Sequence, residues 1–135
     1  MAYVAFAMMA KTRRVAVVDD DPSVLRGLWR LLRSAHFEVD AYDSGAAFLM
    51  AVAEVEPDCV VLDLHMPQTS GFDVQARLAQ DGRDIPVVII TGHDTPEARS
   101  RALSLGAKDY LCKPIDEAAL LAAIDAVIQD RKSVV

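Results

Sequence analysis

The sequence predicts an α/β fold: a doubly wound, five-stranded parallel sheet with helices on both faces. Three observations predict it. Five short apolar runs alternate with five stretches of helical periodicity. The first, third and fourth runs are nearly continuous in Val, Ile and Leu, as strands buried on both faces should be. The chain has 135 residues, 53% hydrophobic and 25% charged, which suits one folded domain and not a disordered segment.

The strands are expected at Val15 to Val18, Phe37 to Tyr42, Cys59 to Leu62, Val87 to Ile90 and Asp109 to Cys112. Asp21 and Pro22 signal the first helix, whose Leu25, Leu28, Leu32 and Ala35 share one face. Ser44 can cap a second helix carrying Phe48, Leu49 and Val52. Gly71 to Ala79 carries Phe72, Val74 and Leu78. Thr95 and Pro96 open a fourth helix, which Gly106 should close. Asp116 opens the last, with Leu120, Leu121, Ile124 and Val127 at helical spacing. Right-handed crossovers between such units give a doubly wound sheet. By analogy with flavodoxin-like folds its order is 2-1-3-4-5.

The domain should occupy residues 13–130, with residues 131–135 as a C-terminal tail. The apolar start, Met1 to Ala10, has its cations (Lys11, Arg13, Arg14) after it, whereas a secretory signal has them before. Met8 and Met9 are alternative starts, so residues 1–12 read as an added or mis-assigned extension, mobile and outside the domain. No second domain is expected after the fifth unit. No apolar run approaches the roughly 18 residues of a membrane span. A net charge of −6 argues against a broad grip on nucleic acid by this domain. Cys59 and Cys112 lie in strand-like runs without CxxC spacing, which suggests buried free thiols in a reducing cytoplasm.

The unusual polar residues all fall at strand ends. Asp19 and Asp20 follow the first strand, Asp63 the third, Thr91 the fourth and Lys113 the fifth. In a parallel sheet these ends share one edge, where such folds bind ligands. Taken singly, each has an ordinary reading. An Asp run caps a helix, an Asp before a Pro-containing loop makes a turn, and Lys113–Pro114 leaves a strand. Together they converge. Two carboxylates about 4 Å apart repel by roughly 4 kcal/mol at an effective dielectric of about 20, so a cation belongs among them. Oxygen donors with room for water suit Mg2+, with Mn2+ able to substitute, and soft ligands for zinc are missing there. Lys113 adds a compact charge and Thr91 a hydroxyl. That set suits phosphoryl transfer to a carboxylate.

The sequence resembles the receiver domain of two-component response regulators. The motifs are Val17-Val18-Asp19-Asp20-Asp21-Pro22, Val61-Leu62-Asp63-Leu64-His65-Met66-Pro67 with Ser70-Gly71, Ile89-Ile90-Thr91-Gly92, and Asp109-Tyr110-Leu111-Cys112-Lys113-Pro114. They cover roughly residues 13 to 130. Thr91-Gly92-His93 and Gly71-Phe72-Asp73 resemble regulators of the nitrogen-fixation and nitrate-response transcription-factor type.

The resemblance implies that Asp63 accepts a phosphoryl group from a sensor histidine kinase or phosphotransfer protein, acting as a switch and not as a true enzyme. It implies that Asp20 and Asp63 ligate Mg2+ directly, Asp19 mainly through water, and the main-chain carbonyl of His65 as a further ligand. Lys113 would pair with the phosphoryl group, and Thr91 would move to donate to it. Tyr110 would be the switch aromatic, against its plainer reading as a strand residue packing on helix four. A cis Lys113–Pro114 bond is implied too. His65 and His93 would flank the phosphoryl group and tune its lifetime, or stand solvated and inert. The readout surface would be the fourth helix, fifth strand and fifth helix, from about Pro96 to Gln129, which could also pair two copies. The chain would be the N-terminal part of a DNA-binding regulator, or else a stand-alone regulator or phosphorelay carrier.

Three rivals are weaker. A haloacid-dehalogenase-like phosphohydrolase needs a second Asp two residues after its nucleophile, where this chain has His65. A flavin module needs a Ser/Thr/Gly phosphate loop, where Asp19 to Asp21 would repel the phosphate. A receiver that no longer signals by phosphorylation would not need the full residue set.

Overall fold

The structure, a computed structural model, describes residues 13–133. Residues 1–12, expected to be an extension, and the last two residues of the expected tail lie outside the described residues. The elements alternate without interruption: β1 (Arg14–Val18), α1 (Pro22–Ser34), β2 (Glu38–Tyr42), α2 (Gly45–Val52), β3 (Cys59–Asp63), α3 (Gly71–Gln80), β4 (Val87–Thr91), α4 (Pro96–Ser104), β5 (Asp109–Cys112) and α5 (Glu117–Ser133). All neighbouring strands are parallel, in the order β2-β1-β3-β4-β5. The fold and strand order are those the sequence predicts.

Strand alternation divides the core in two. Val15 and Val17 of β1, with Cys59, Val61, Val88 and Ile90, meet Leu28 and Leu32 of α1 and Leu120, Ile124 and Ile128 of α5. Ala16 and Val18, with Val60, Leu62 and Ile89, meet Phe48 and Val52 of α2, Val74 and Leu78 of α3 and Ala102 of α4. Each central strand therefore needs apolar residues at every position, because successive side chains serve opposite layers. β3 and β4 are buried throughout.

The helix starts follow capping chemistry. The Asp21 carboxylate accepts from Ser23 N at 2.9 Å, Ser44 Oγ from Ala47 N at 3.1 Å and Thr95 Oγ1 from Ala98 N at 3.0 Å. Ser70 and Asp73 form a reciprocal capping box on α3. Gly106 ends α4 with φ +103°, a left-handed conformation that glycine adopts without strain.

One expectation fails. Cys59 is buried, but Cys112 is exposed. β5 is an edge strand, and Cys112 is its last residue. An apolar run read along the chain does not distinguish an edge strand from a central one. Among the described residues no helix is long and apolar enough to cross a membrane.

Candidate functional site

The carboxyl ends of β1, β3, β4 and β5 gather the predicted residues at one edge of the sheet. Asp19 follows β1 directly, Asp63 is the last residue of β3, Thr91 the last of β4, and Lys113 follows β5. Parallel pairing in register makes these ends coincide: Val18 pairs with Leu62, Asp63 with Ile90, and Thr91 with Cys112.

Asp19, Asp20 and Asp63 each place a carboxylate oxygen within 4.8 Å of the others. Asp19 and Asp63 are buried, 0% and 3% exposed, whereas Asp20 faces solvent. Lys113 Nζ lies 2.8 Å from Asp19 Oδ2 and 3.6 Å from Asp63 Oδ1. Main-chain donors fix the acids further. Asp21 N donates to Asp19 Oδ1 at 2.9 Å, and His65 N to Asp63 Oδ1 at 3.4 Å. Thr91 is fully buried, and its Oγ1 accepts from His93 N at 3.1 Å.

Burial raises the Asp63 carboxyl above its ordinary value. The negative charge of Asp19 adds to this, and Lys113 opposes it. Burial alone would lower the Lys113 ammonium, but the hydrogen bond to Asp19 and the charge of Asp63 outweigh it, and its pKa is raised. One ammonium thus pairs with two of the three acids, which leaves the cluster short of positive charge. The donor set is hard oxygen on two fixed carboxylates and one exposed one. That fits a small divalent cation that keeps several waters, as Mg2+ does.

The other predicted residues lie around this cluster. The Lys113–Pro114 bond is cis, as expected. Tyr110 is buried in the α2–α3–α4 layer, where it packs with Ile89 and Ala102. The Arg99 guanidinium lies 4.7 Å from its ring centroid, and the Tyr110 Oη makes no hydrogen bond. His65 and His93 are exposed, with ring centroids 5.4 Å apart.

Two contributors had no role in the sequence reading. Gly71 opens α3 against the turn after β3. A Cβ there would stand 2.5 Å from the Asp63 main-chain oxygen and 2.8 Å from Leu64 Cα. The motif contained Gly71, but only the tertiary approach explains it. Gln75 is buried on α3 and donates from Nε2 to the Ala102 carbonyl of α4 at 3.0 Å. A single Gln beside Val74 gives no signal of this in the sequence.

Comparison with known proteins gives the family. Residues 15–125 match the family model described as the response regulator receiver domain. The response regulator protein TmoT of Ectopseudomonas mendocina is 39% identical over 115 residues, covering 85% of this chain and 52% of that protein. The transcriptional regulatory protein FixJ of Azorhizobium caulinodans is 38% identical over 118 residues, covering 87% of this chain and 56% of its own length. This chain thus spans about half the length of these curated relatives. A crystal structure of a response regulator receiver protein from Burkholderia phymatum superposes with a TM-score of 0.78 at 43% identity, covering 87% of this chain and 96% of that one. The chain belongs to the response regulator receiver domain family, signalling domains of two-component systems.

Proposed function

We propose that this domain is a phosphorylation switch in which Asp63 accepts a phosphoryl group from the phosphohistidine of a sensor kinase or phosphotransfer protein. The observation that carries the reading is the joint placement of Asp63, Asp19, Asp20, Lys113 and Thr91 at one sheet edge, with a single ammonium among three acids. A carboxylate oxygen of Asp63 attacks phosphorus while the phosphorus–nitrogen bond breaks, and the imidazole of the donor leaves. Lys113 balances charge on the transferred group, and Thr91 Oγ donates to it once formed.

Asp20 and Asp63 would hold Mg2+ directly, Asp19 mainly through water, and the His65 main-chain carbonyl would complete the protein ligands, with Mn2+ able to substitute. When bound, the ion supplies neutralising charge for the phosphoryl oxygens. Release of Thr91 from the His93 amide and movement of Tyr110 would carry the change to the surface of α4, β5 and α5. That surface, within residues 13–130, would contact the downstream partner and could pair two copies of the chain. The name of FixJ, a transcriptional regulatory protein, and the half-length match support a DNA-binding output carried by a further segment. In this reading the domain itself makes no nucleic-acid contact and works in the cytoplasm.

The test is incubation with Mg2+ and a small acyl-phosphate donor, followed by intact mass. Wild type should gain one phosphoryl group and Asp63→Asn none. Equal gain in both proteins, or none in either, overturns the reading. Omitting Mg2+ should abolish the gain, and Asp20→Asn should greatly slow it.

A further inference from the structure

We propose that His65 and His93 form a second metal site, a two-imidazole site for a borderline transition-metal ion of the Zn2+ or Ni2+ class, separate from the acid cluster. Both residues occupy the same offset on neighbouring parallel strands. His65 lies two residues past Asp63, the last residue of β3, and His93 two past Thr91, the last of β4. β3 and β4 are directly paired, with Asp63 beside Ile90, so the loops that leave their carboxyl ends run side by side.

The turns that carry them are fixed by matching bonds. Each histidine amide donates to the side chain of the strand-terminal residue, His65 N to Asp63 Oδ1 at 3.4 Å and His93 N to Thr91 Oγ1 at 3.1 Å. The rings meet edge to face, with centroids 5.4 Å apart and planes inclined at 70°. An ion with two imidazole nitrogens at about 2.0–2.1 Å in a tetrahedral shell holds the ring centroids about 5.3 Å apart. The centroid spacing therefore matches that of two rings bound to one ion. Both rings are exposed, which leaves the remaining ligand positions to water.

Ligand chemistry separates this site from the acid cluster. Imidazole suits Zn2+, Ni2+ and Cu2+, whereas carboxylate oxygens suit Mg2+. Asp94, exposed and next to His93 in the chain, and Asp20, exposed in the cluster with Asp63, add negative charge that attracts a cation. An ion on the pair ties the β3–α3 loop to the β4–α4 loop. The site does not depend on Asp63 accepting a phosphoryl group.

The experiment is calorimetric titration of Zn2+ into the protein in excess Mg2+, with the histidine ring resonances followed in parallel. Wild type should bind one Zn2+ per chain and shift the rings of His65 and His93 but not of His36. Loss of an outer partner of a metal ligand costs about 10- to 100-fold in affinity, so His65→Ala or His93→Ala should cost at least about tenfold. Cys112→Ser and His36→Ala should leave binding unchanged, as should a further increase in Mg2+. Absence of saturable binding, its survival in both His65→Ala and His93→Ala, its loss in Cys112→Ser, or its displacement by Mg2+ each overturns the proposal.

Discussion

Lys113 Nζ stands 2.8 Å from Asp19 Oδ2, an ion pair between residues 94 positions apart that joins the exit of the edge strand β5 to the end of β1. Asp19 is fully buried, so this pair gives it a charged partner inside the fold. The same ammonium reaches Asp63 at 3.6 Å.

Removing that ammonium should destabilise the domain. Lys113→Met leaves two buried carboxylates without their cation. Breaking a buried pair costs about 3–5 kcal/mol, and the partial exposure of Lys113 reduces this to about 1–2 kcal/mol. Urea unfolding in the absence of divalent metal should report the loss, and Mg2+ should restore part of it. Unchanged stability would show that the pair contributes nothing to the fold.

Asp63 should make the metal-free domain less stable as pH rises. Its folded pKa is raised above the ordinary 3.8, chiefly by burial and then by Asp19. A raised carboxyl contributes stability that is complete below 3.8 and lost as pH climbs through the raised folded value. Asp63→Asn removes the titration. The variant should therefore melt higher than wild type at neutral pH without metal, by about 1 kcal/mol, the usual scale of a single substitution. The gap should close towards acid pH and on adding Mg2+. A gap independent of pH would contradict the cause given for the shift.

Gly71→Ala should disrupt the site from its backbone. The added Cβ meets the Asp63 carbonyl oxygen at 2.5 Å, and backbone cannot swing aside as a flexible side chain can. Overpacking of this kind costs about 1–3 kcal/mol. Denaturant unfolding measures it. The neighbouring turn should shift as well, visible as amide chemical-shift changes at Asp63, Leu64 and His65. A variant as stable as wild type would mean that α3 can withdraw freely from the β3 turn.

Tyr110→Phe should leave stability equal or raised by up to about 1 kcal/mol, because the hydroxyl it removes is buried and makes no hydrogen bond. The ring remains in the core and under Arg99. Tyr110→Ala should instead cost about 3–5 kcal/mol for the emptied volume. Thermal melts of both variants test the pair. A large loss in the Phe variant would reveal a hydrogen bond to the hydroxyl in solution.

The two cysteines should react very differently with a thiol reagent. Burial pushes the Cys59 thiol up to about 12, so it should label only after unfolding. Cys112 is exposed and should label in the native state. A hydrogen bond to Asp94 raises its pKa, so its reaction should be slower than that of a free thiol at the same pH. Replacing Asp94 with Asn should speed it. Mass spectrometry after timed labelling distinguishes one modified thiol from two.

Analogy with flavodoxin-like folds supplied the sheet order, and by itself the sequence determined the strand and helix pattern and the candidate residues at the strand ends. It could do so because these depend on local periodicity and on one topological rule: parallel strands end together. Asp21, Ser44 and Thr95 were legible as caps or helix starts because capping acts within three or four residues. Only the tertiary structure decided the rest. The Lys113–Asp19 bond, the approach of Gly71 to Asp63, the Gln75–Ala102 link, the exposure of Cys112 and the His65–His93 pair each depend on which surfaces meet and at what distance. Charge and burial at Asp63 follow the same logic. The acid is an ordinary turn residue in the chain, and its raised pKa appears only when packing removes water and sets Asp19 beside it.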